Sequence, residues 1–195
     1  MNDEYKTIEN TGEGYYTEKR SKFLAFAHHV ESVDEAKQII DSYRKKYYDA
    51  RHCCYAYQIG VGDQVQVRAN DDGEPSSTAG KPIMGQIVSN DLTDILICVV
   101  RYYGGVNLGT GGLIVAYRTA AADAIAHCSV VTRLVKEKVE FHFTYPMMNG
   151  VMKVVKDMKA DIVAQDFNID CSIVLAIRKS EAELLKQRLE HLNFE

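Results

Sequence analysis

The run Ile95–Tyr103 (ILICVVRYY) constrains this chain more than any other segment. Near-continuous apolar residues without alternation mark a central strand buried on both faces, so other elements must cover both sides of its sheet. A glycine-rich stretch follows, GGVNLGTGG over 104–112. After it, Leu113, Ala116, Tyr117, Ala120, Ala121, Ala124 and Cys128 recur at helical spacing, which predicts a helix over Leu113–Cys128. Its many alanines let that helix lie close to a sheet. Eight of the thirteen glycines fall between Gly73 and Gly112. Glycine at this density marks backbone that turns tightly or approaches something closely.

The rest of the chain reads as alternating short elements. Tyr15 to Val30 is extended, interrupted by Lys19-Arg20-Ser21-Lys22. Ser32 and Glu35 have capping-box spacing and open a helix to about Tyr48. His52–Gly60 (HCCYAYQIG) predicts a strand, with a turn at Gly62-Asp63 and a hairpin partner over Gln64–Arg68. Ala69–Pro82 is a long loop, and a short helix follows Pro82. Beyond Ser129 the texture changes. Lys138–Thr144 alternates strictly, Met147–Lys159 is amphipathic, and Asp161–Phe167 and Ile169–Ile177 are further strands. Ser180 and Glu183 form a second capping box, opening a helix to about Leu192. The order βαββα is a ferredoxin-like half-sandwich that stops at Asn193-Phe194-Glu195, before its last strand. The expected domains are 1–130 and 131–195, with the boundary at Ser129–Arg133.

Charge narrows the function. The chain holds 23 Lys+Arg and 27 Asp+Glu, a net charge of −4, and all of that excess lies in residues 1–128. Such a balance excludes a protein held to nucleic acid by bulk charge, though not one with a local basic patch. Five scattered cysteines support neither a disulfide framework nor a structural zinc site. No stretch reaches the roughly 18–20 apolar residues of a membrane helix, and the acidic, polar start is no signal peptide. A cytoplasmic protein away from membranes, without cofactor, is expected.

Helix N-termini present unpaired N–H groups and a partial positive charge. Gly104, Gly105, Asn107, Gly109, Thr110, Gly111 and Gly112 therefore form a candidate anion cradle, although the same glycines serve a tight turn that packs the helix on its strand. The loop is no Walker A motif, because Thr110 stands where the phosphate-binding lysine belongs. It is no GxGxxG fingerprint either, because Ile114 occupies the third glycine position. Arg51, Lys81, Arg101 and Arg118 are candidate phosphate contacts. Tyr102 and Tyr103 serve either as core or as stacking surfaces for bases. Asp71, Asp72 and Glu74 read first as a solvated turn, and only secondarily as ligands for a hard metal such as Mg²⁺. His52-Cys53-Cys54 suggests a thiol nucleophile, but only His52 and Cys54 share a strand face, and no third group is in view to orient the base.

Four motifs carry a family resemblance: RSKFLA (20–25), ARHCCYAYQIG (50–60), DDGEPSSTAGKPI (71–83) and VVRYYGGVNLGTGGLIVAY (99–117). In this order they closely resemble the YigZ/IMPACT family, and Gly85–Gly109 is similar to its signature. The likeness covers about residues 15–128, and the remainder resembles the smaller C-terminal domain of bacterial members. It implies an α+β protein of two domains. The first is ribosomal protein S5 domain 2-like, as in domain IV of elongation factor G. The second is ferredoxin-like, as in domain V of that factor. It also implies a link to translation, since eukaryotic relatives regulate translation during amino-acid starvation by competing for the activator of an initiation-factor kinase. The expected function is non-enzymatic binding of RNA, the ribosome or a translation regulator, with Arg51, Lys81, Arg101 and Arg118 on phosphates and Tyr102 or Tyr103 stacking. The alternative is an enzyme acting on a phosphorylated small molecule or nucleotide through loop 104–112, with Asp71 or Asp72 holding Mg²⁺.

Overall fold

Residues Ile95 to Val100 are sealed on both faces, as their composition demands. They form most of β6 (Ile95–Tyr102), the middle strand of a five-stranded sheet. The computed structural model describes residues 3–192. The chain is an α+β protein of two compact units, one spanning Tyr5–Arg133 and the other running from Leu134 and including the residues up to Glu4.

The first unit contains β1 (Glu4–Ile8), β2 (Gly12–Glu18), β3 (Ser21–His29), α1 (Val33–Lys46), β4 (His52–Ile59), β5 (Gln66–Asn70), α2 (Gly80–Ser89), β6, α3 (Gly109–Ala126) and β7 (Val130–Leu134). The sheet order is β2-β3-β6-β4-β5, with every neighbouring pair antiparallel. Strand alternation divides β6 between two cores. Ile95, Ile97 and Val99 pack with α2 and α3, while Leu96, Cys98 and Val100 pack on the side of α1. Helices on both faces explain why this strand shows no polar alternation.

Helix α1 begins as its capping box predicts, with Ser32 Oγ accepting the Glu35 N–H at 3.1 Å. Helix α3 lies on β2 as closely as its alanines allow. A Cβ added to Gly14 would overlap the backbone of Ala120 and Ala124.

Three local features differ from the sequence expectation. Lys19 and Arg20, at φ 44° and 66°, are a two-residue turn that closes β2 on β3, with Glu18 opposite Ser21. This hairpin turn lacks the Gly or Asn that usually announces it. The boundary segment Val130–Leu134 is a strand paired with β1. Helix α3 starts four residues early, at Gly109, because glycines in its first turn hide the helical signal.

The second unit contains β8 (Lys136–Phe143), α4 (Met148–Met158), β9 (Asp161–Phe167), β10 (Cys171–Arg178) and α5 (Ala182–His191). Its sheet runs β8-β10-β9 with both pairings antiparallel, the order these strands take in a ferredoxin-like sheet. Cys171, Ile173, Leu175 and Ile177 alternate into a core shared with Val151 of α4 and Leu185 of α5. The capping box expected at Ser180 does not form. A 3₁₀ turn over Lys179–Glu181 precedes α5, and the Ser180 N–H donates to Asp3 at 3.3 Å. Asp3 also accepts Arg178 Nε and Nη2, each at 2.7 Å, and these bonds hold its carboxyl well below the usual range. The expectation of an absent last strand concerns 193–195, outside the described residues. Among the described residues, no helix is long and apolar enough to cross a membrane.

Two glycine substitutions test this packing in opposite directions. Gly14→Ala should cost about 2–3 kcal/mol through backbone overlap with α3. Gly85→Ala, inside α2 with no atom within 4 Å of an added Cβ, should gain about 0.4–1 kcal/mol. Urea unfolding midpoints read both, and a neutral Gly14→Ala would refute the close α3–β2 contact.

Candidate functional site

Antiparallel register sets a row of three side chains across the sheet: Phe23 of β3 opposite Arg101 of β6, and Arg101 opposite His52 of β4. The row lies on the α3 side, where the Tyr117 ring meets Phe23 edge-on at 5.1 Å. Glu74 enters from the loop between β5 and α2. Its Oε1 accepts Arg101 Nη1 at 2.6 Å and the Tyr117 hydroxyl at 2.6 Å, with His52 Nε2 at 3.7 Å. Both partners of this ion pair are buried, with side chains 6% and 3% exposed. Burial, reinforced by Cys54 and Glu74, pushes the Tyr117 phenol far up, so it remains a donor.

The loop that delivers Glu74 is pinned by its aspartates. Asp71 Oδ1 accepts the Ala79 and Gly80 N–H groups at the start of α2, and Oδ2 accepts that of Ser77. Asp72 Oδ2 accepts the Cys53 N–H at 2.7 Å, and the Asp72 carbonyl accepts His52 Nδ1–H at 2.6 Å. That bond places the Nδ1 proton and leaves Nε2 an acceptor in the neutral ring.

Beside this cluster opens a cavity of about 450 Å³. Arg51, His52, Glu74, Arg101 and Tyr103 line one side. Asn107, Leu108, Gly109 and Thr110, at the start of α3, line another. The N-cap residue Leu108 provides no side-chain cap, so the first N–H groups of this 18-residue helix lack the usual side-chain acceptor. Tyr103, 39% exposed, has the Arg51 guanidinium 5.0 Å and the Arg101 guanidinium 5.5 Å from its ring centroid. Two arginines and a helix N-terminus outweigh one carboxylate, so the cavity has a net positive field.

The glycines divide by role. Gly104 serves packing, since a Cβ there would overlap the backbone of Arg20 and Ser21, and its N–H donates to Ser21 Oγ at 3.1 Å. Gly111 meets no atom within 4 Å. Internal packing therefore does not require it.

The fold gathers Arg51, Arg101, Tyr103, Asn107, Gly109 and Thr110 around one cavity. It does not bring Lys81, Arg118 or Tyr102 to its lining. Lys81 and Arg118 are exposed on α2 and α3. Tyr102 falls on the α1 face, where its hydroxyl donates to Asp49 at 2.9 Å. Asp71, Asp72 and Glu74 do not converge on a metal, because their carboxylates serve separate backbone and side-chain donors. Cys54 shares the face of His52, but its Sγ donates to the Asp71 carbonyl at 3.1 Å, and burial pushes the thiol far up.

Sequence spacing missed the joint role of His52, Glu74 and Tyr117. A physical signal was present. A buried arginine needs a carboxylate, and a tyrosine on the apolar face of an alanine-rich helix needs a partner for its hydroxyl.

The family model of the Impact N-terminal domain matches residues 19–125, a stretch that holds every cavity residue named above. The chain belongs to the IMPACT family. It is 40% identical over 129 residues to the IMPACT family member YvyE of Bacillus subtilis, covering 66% of this chain and 59% of that protein. It is 33% identical over 150 residues to the member YigZ of Escherichia coli, covering 76% of this chain and 74% of that one. A crystal structure described as that of a hypothetical protein superposes with a TM-score of 0.76 at 26% identity, over 97% of this chain and 92% of the other.

The ion pair of this IMPACT chain is testable by unfolding. Glu74→Ala should cost about 3–5 kcal/mol, because it leaves the Arg101 charge buried without its partner. Tyr117→Phe removes one hydrogen bond and should cost about 1 kcal/mol. Equal small losses from both would contradict a buried charge pair at the centre of the unit.

Proposed function

We propose that this protein is a regulatory factor linked to translation that binds single-stranded RNA at the cavity beside α3, without acting chemically on it. The translation link rests on the family. The RNA contact rests on one observation above all: an exposed tyrosine with two guanidiniums close by, beside a helix N-terminus without a side-chain cap. Aromatic and guanidinium planes stack bases without regard to sequence, and a helix N-terminus receives a phosphate.

The charge distribution limits how that contact works. The chain carries a net charge of −4, and Lys81 and Arg118 lie away from the cavity lining. RNA is therefore met at one or two phosphates and one stacked base, instead of along a basic track. The nucleotide-enzyme alternative loses its metal residues, because Asp71 and Asp72 are occupied by backbone donors.

Fluorescence anisotropy with a labelled single-stranded oligoribonucleotide tests the proposal. The slope of log affinity against log salt should be about −0.7 to −1.4, as expected for one or two phosphates on a single strand. Arg51→Ala should remove most of the binding and Lys81→Ala little of it. No binding at low salt, or a slope steeper than about −3, would overturn the proposal.

A further inference from the structure

Hydrogen-bond capacity at the cavity is unevenly distributed. The side formed by the start of α3, together with Arg51, offers donors to an anion. Glu74, which also lines the cavity, offers an acceptor. Glu74 Oε1 is taken by Arg101 and Tyr117, whereas Oε2 receives no hydrogen bond among the described residues. Oε2 is also not among the polar atoms sealed from solvent without a partner, a condition met only by Arg101 Nε among the described residues. Glu74 lines the cavity with its side chain 3% exposed, and Oε2 has room for one more donor. His52 Nε2 lies 3.7 Å from Oε1 of the same carboxylate.

An ionised carboxylate only accepts. A matching ligand therefore carries a donor, O–H or N–H, close to its anionic group. Charge calls for an anion. Two guanidiniums and about half a charge from the helix, set against one carboxylate, leave about +1.5, and within the RNA proposal the anion is a phosphodiester with a single negative charge. A phosphodiester carries that charge but no proton to donate. Along a nucleic-acid chain, the hydroxyl beside each phosphodiester is the ribose 2′-OH, which DNA lacks.

We infer that Glu74 Oε2 accepts the 2′-OH of the nucleotide whose phosphate sits at the N-terminus of α3, which makes the cavity selective for RNA over DNA. This rests on the RNA-binding proposal above and deepens it. The buried ion pair then has two roles. Arg101 and Tyr117 fix Glu74 through Oε1, and that fixation leaves Oε2 for the sugar.

The test uses the full chain and alters the ligand, so it does not depend on a variant folding. Three single-stranded oligonucleotides of one sequence are compared by anisotropy at low salt: all-ribo, all-deoxy, and a series with one 2′-fluoro substitution at each position in turn. Fluorine keeps the ribose pucker, removes the donor and leaves only a weak acceptor. One position should weaken binding about tenfold when fluorinated, the loss expected for a hydrogen bond to a charged group, with the other positions near neutral. The all-deoxy strand should weaken by at least as much. A second arm uses Glu74→Gln. Its amide oxygen must take the place of Oε1 to accept from Arg101 and Tyr117, which turns the amide nitrogen toward the ligand. That nitrogen has no use for the hydroxyl proton, so the tenfold preference at the sensitive position should shrink. RNA that binds with no sensitive position, or a preference unchanged in Glu74→Gln, overturns the 2′-OH contact and leaves the RNA proposal standing. Failure of every strand to bind overturns both.

Discussion

The buried pair of Glu74 and Arg101 is the interaction on which the first unit depends. A guanidinium taken out of water costs several kcal/mol unless a carboxylate and further hydrogen bonds answer it. Here the carboxylate comes from a loop, so the loop must be fixed. Asp71 caps the start of α2 and Asp72 bonds the edge of β4, which holds Glu74 between them in reach of the sheet. Tyr117 then closes the pair from α3. One polar cluster thus ties the sheet, the β5–α2 loop and α3 together. The cavity next to it inherits that rigidity.

The pair also changes what Arg101 does. With Nη1 on Glu74 and its side chain 6% exposed, it is no mobile phosphate clamp. Its charge acts by position, strengthening the field of the cavity, while the exposed Arg51 is free to contact a ligand. Under the proposed function, a protein of net negative charge meets RNA only locally, through a phosphate, a base and a sugar hydroxyl. The proposed specificity for RNA then resides in the carboxylate that a count of charges would score as unfavourable.

Much of this fold was legible where local periodicity agrees with burial. The apolar run of β6, the alanine face of α3 and the alternation of β10 each specify an element without reference to distant residues. Legibility failed where distant residues decide. Ser180 has capping-box spacing, yet its N–H is claimed by Asp3, 177 positions away. Val130–Leu134 becomes a strand only because β1 pairs with it. In the site, Arg101 and Tyr103 share a side of their strand end while Tyr102 between them turns to the α1 face, which the alternation of β6 already implied. Glu74 was illegible for a different reason. Three acidic residues in four positions look like a solvated turn until the arginine, histidine and tyrosine that surround one of them arrive from β6, β4 and α3.

The most direct test of the central claim is the response of individual backbone amides to RNA. In a ¹⁵N-resolved NMR titration of the full chain with a single-stranded oligoribonucleotide, the N–H resonances of Thr110, Gly111 and Gly112 should shift progressively, together with the side-chain signals of Arg51. The amides of β9 and α5 in the second unit should stay in place. Shifts confined to the basic last turn of α1 (Arg44, Lys45 and Lys46) or to the second unit, with the start of α3 unmoved, would contradict a phosphate site at that helix terminus.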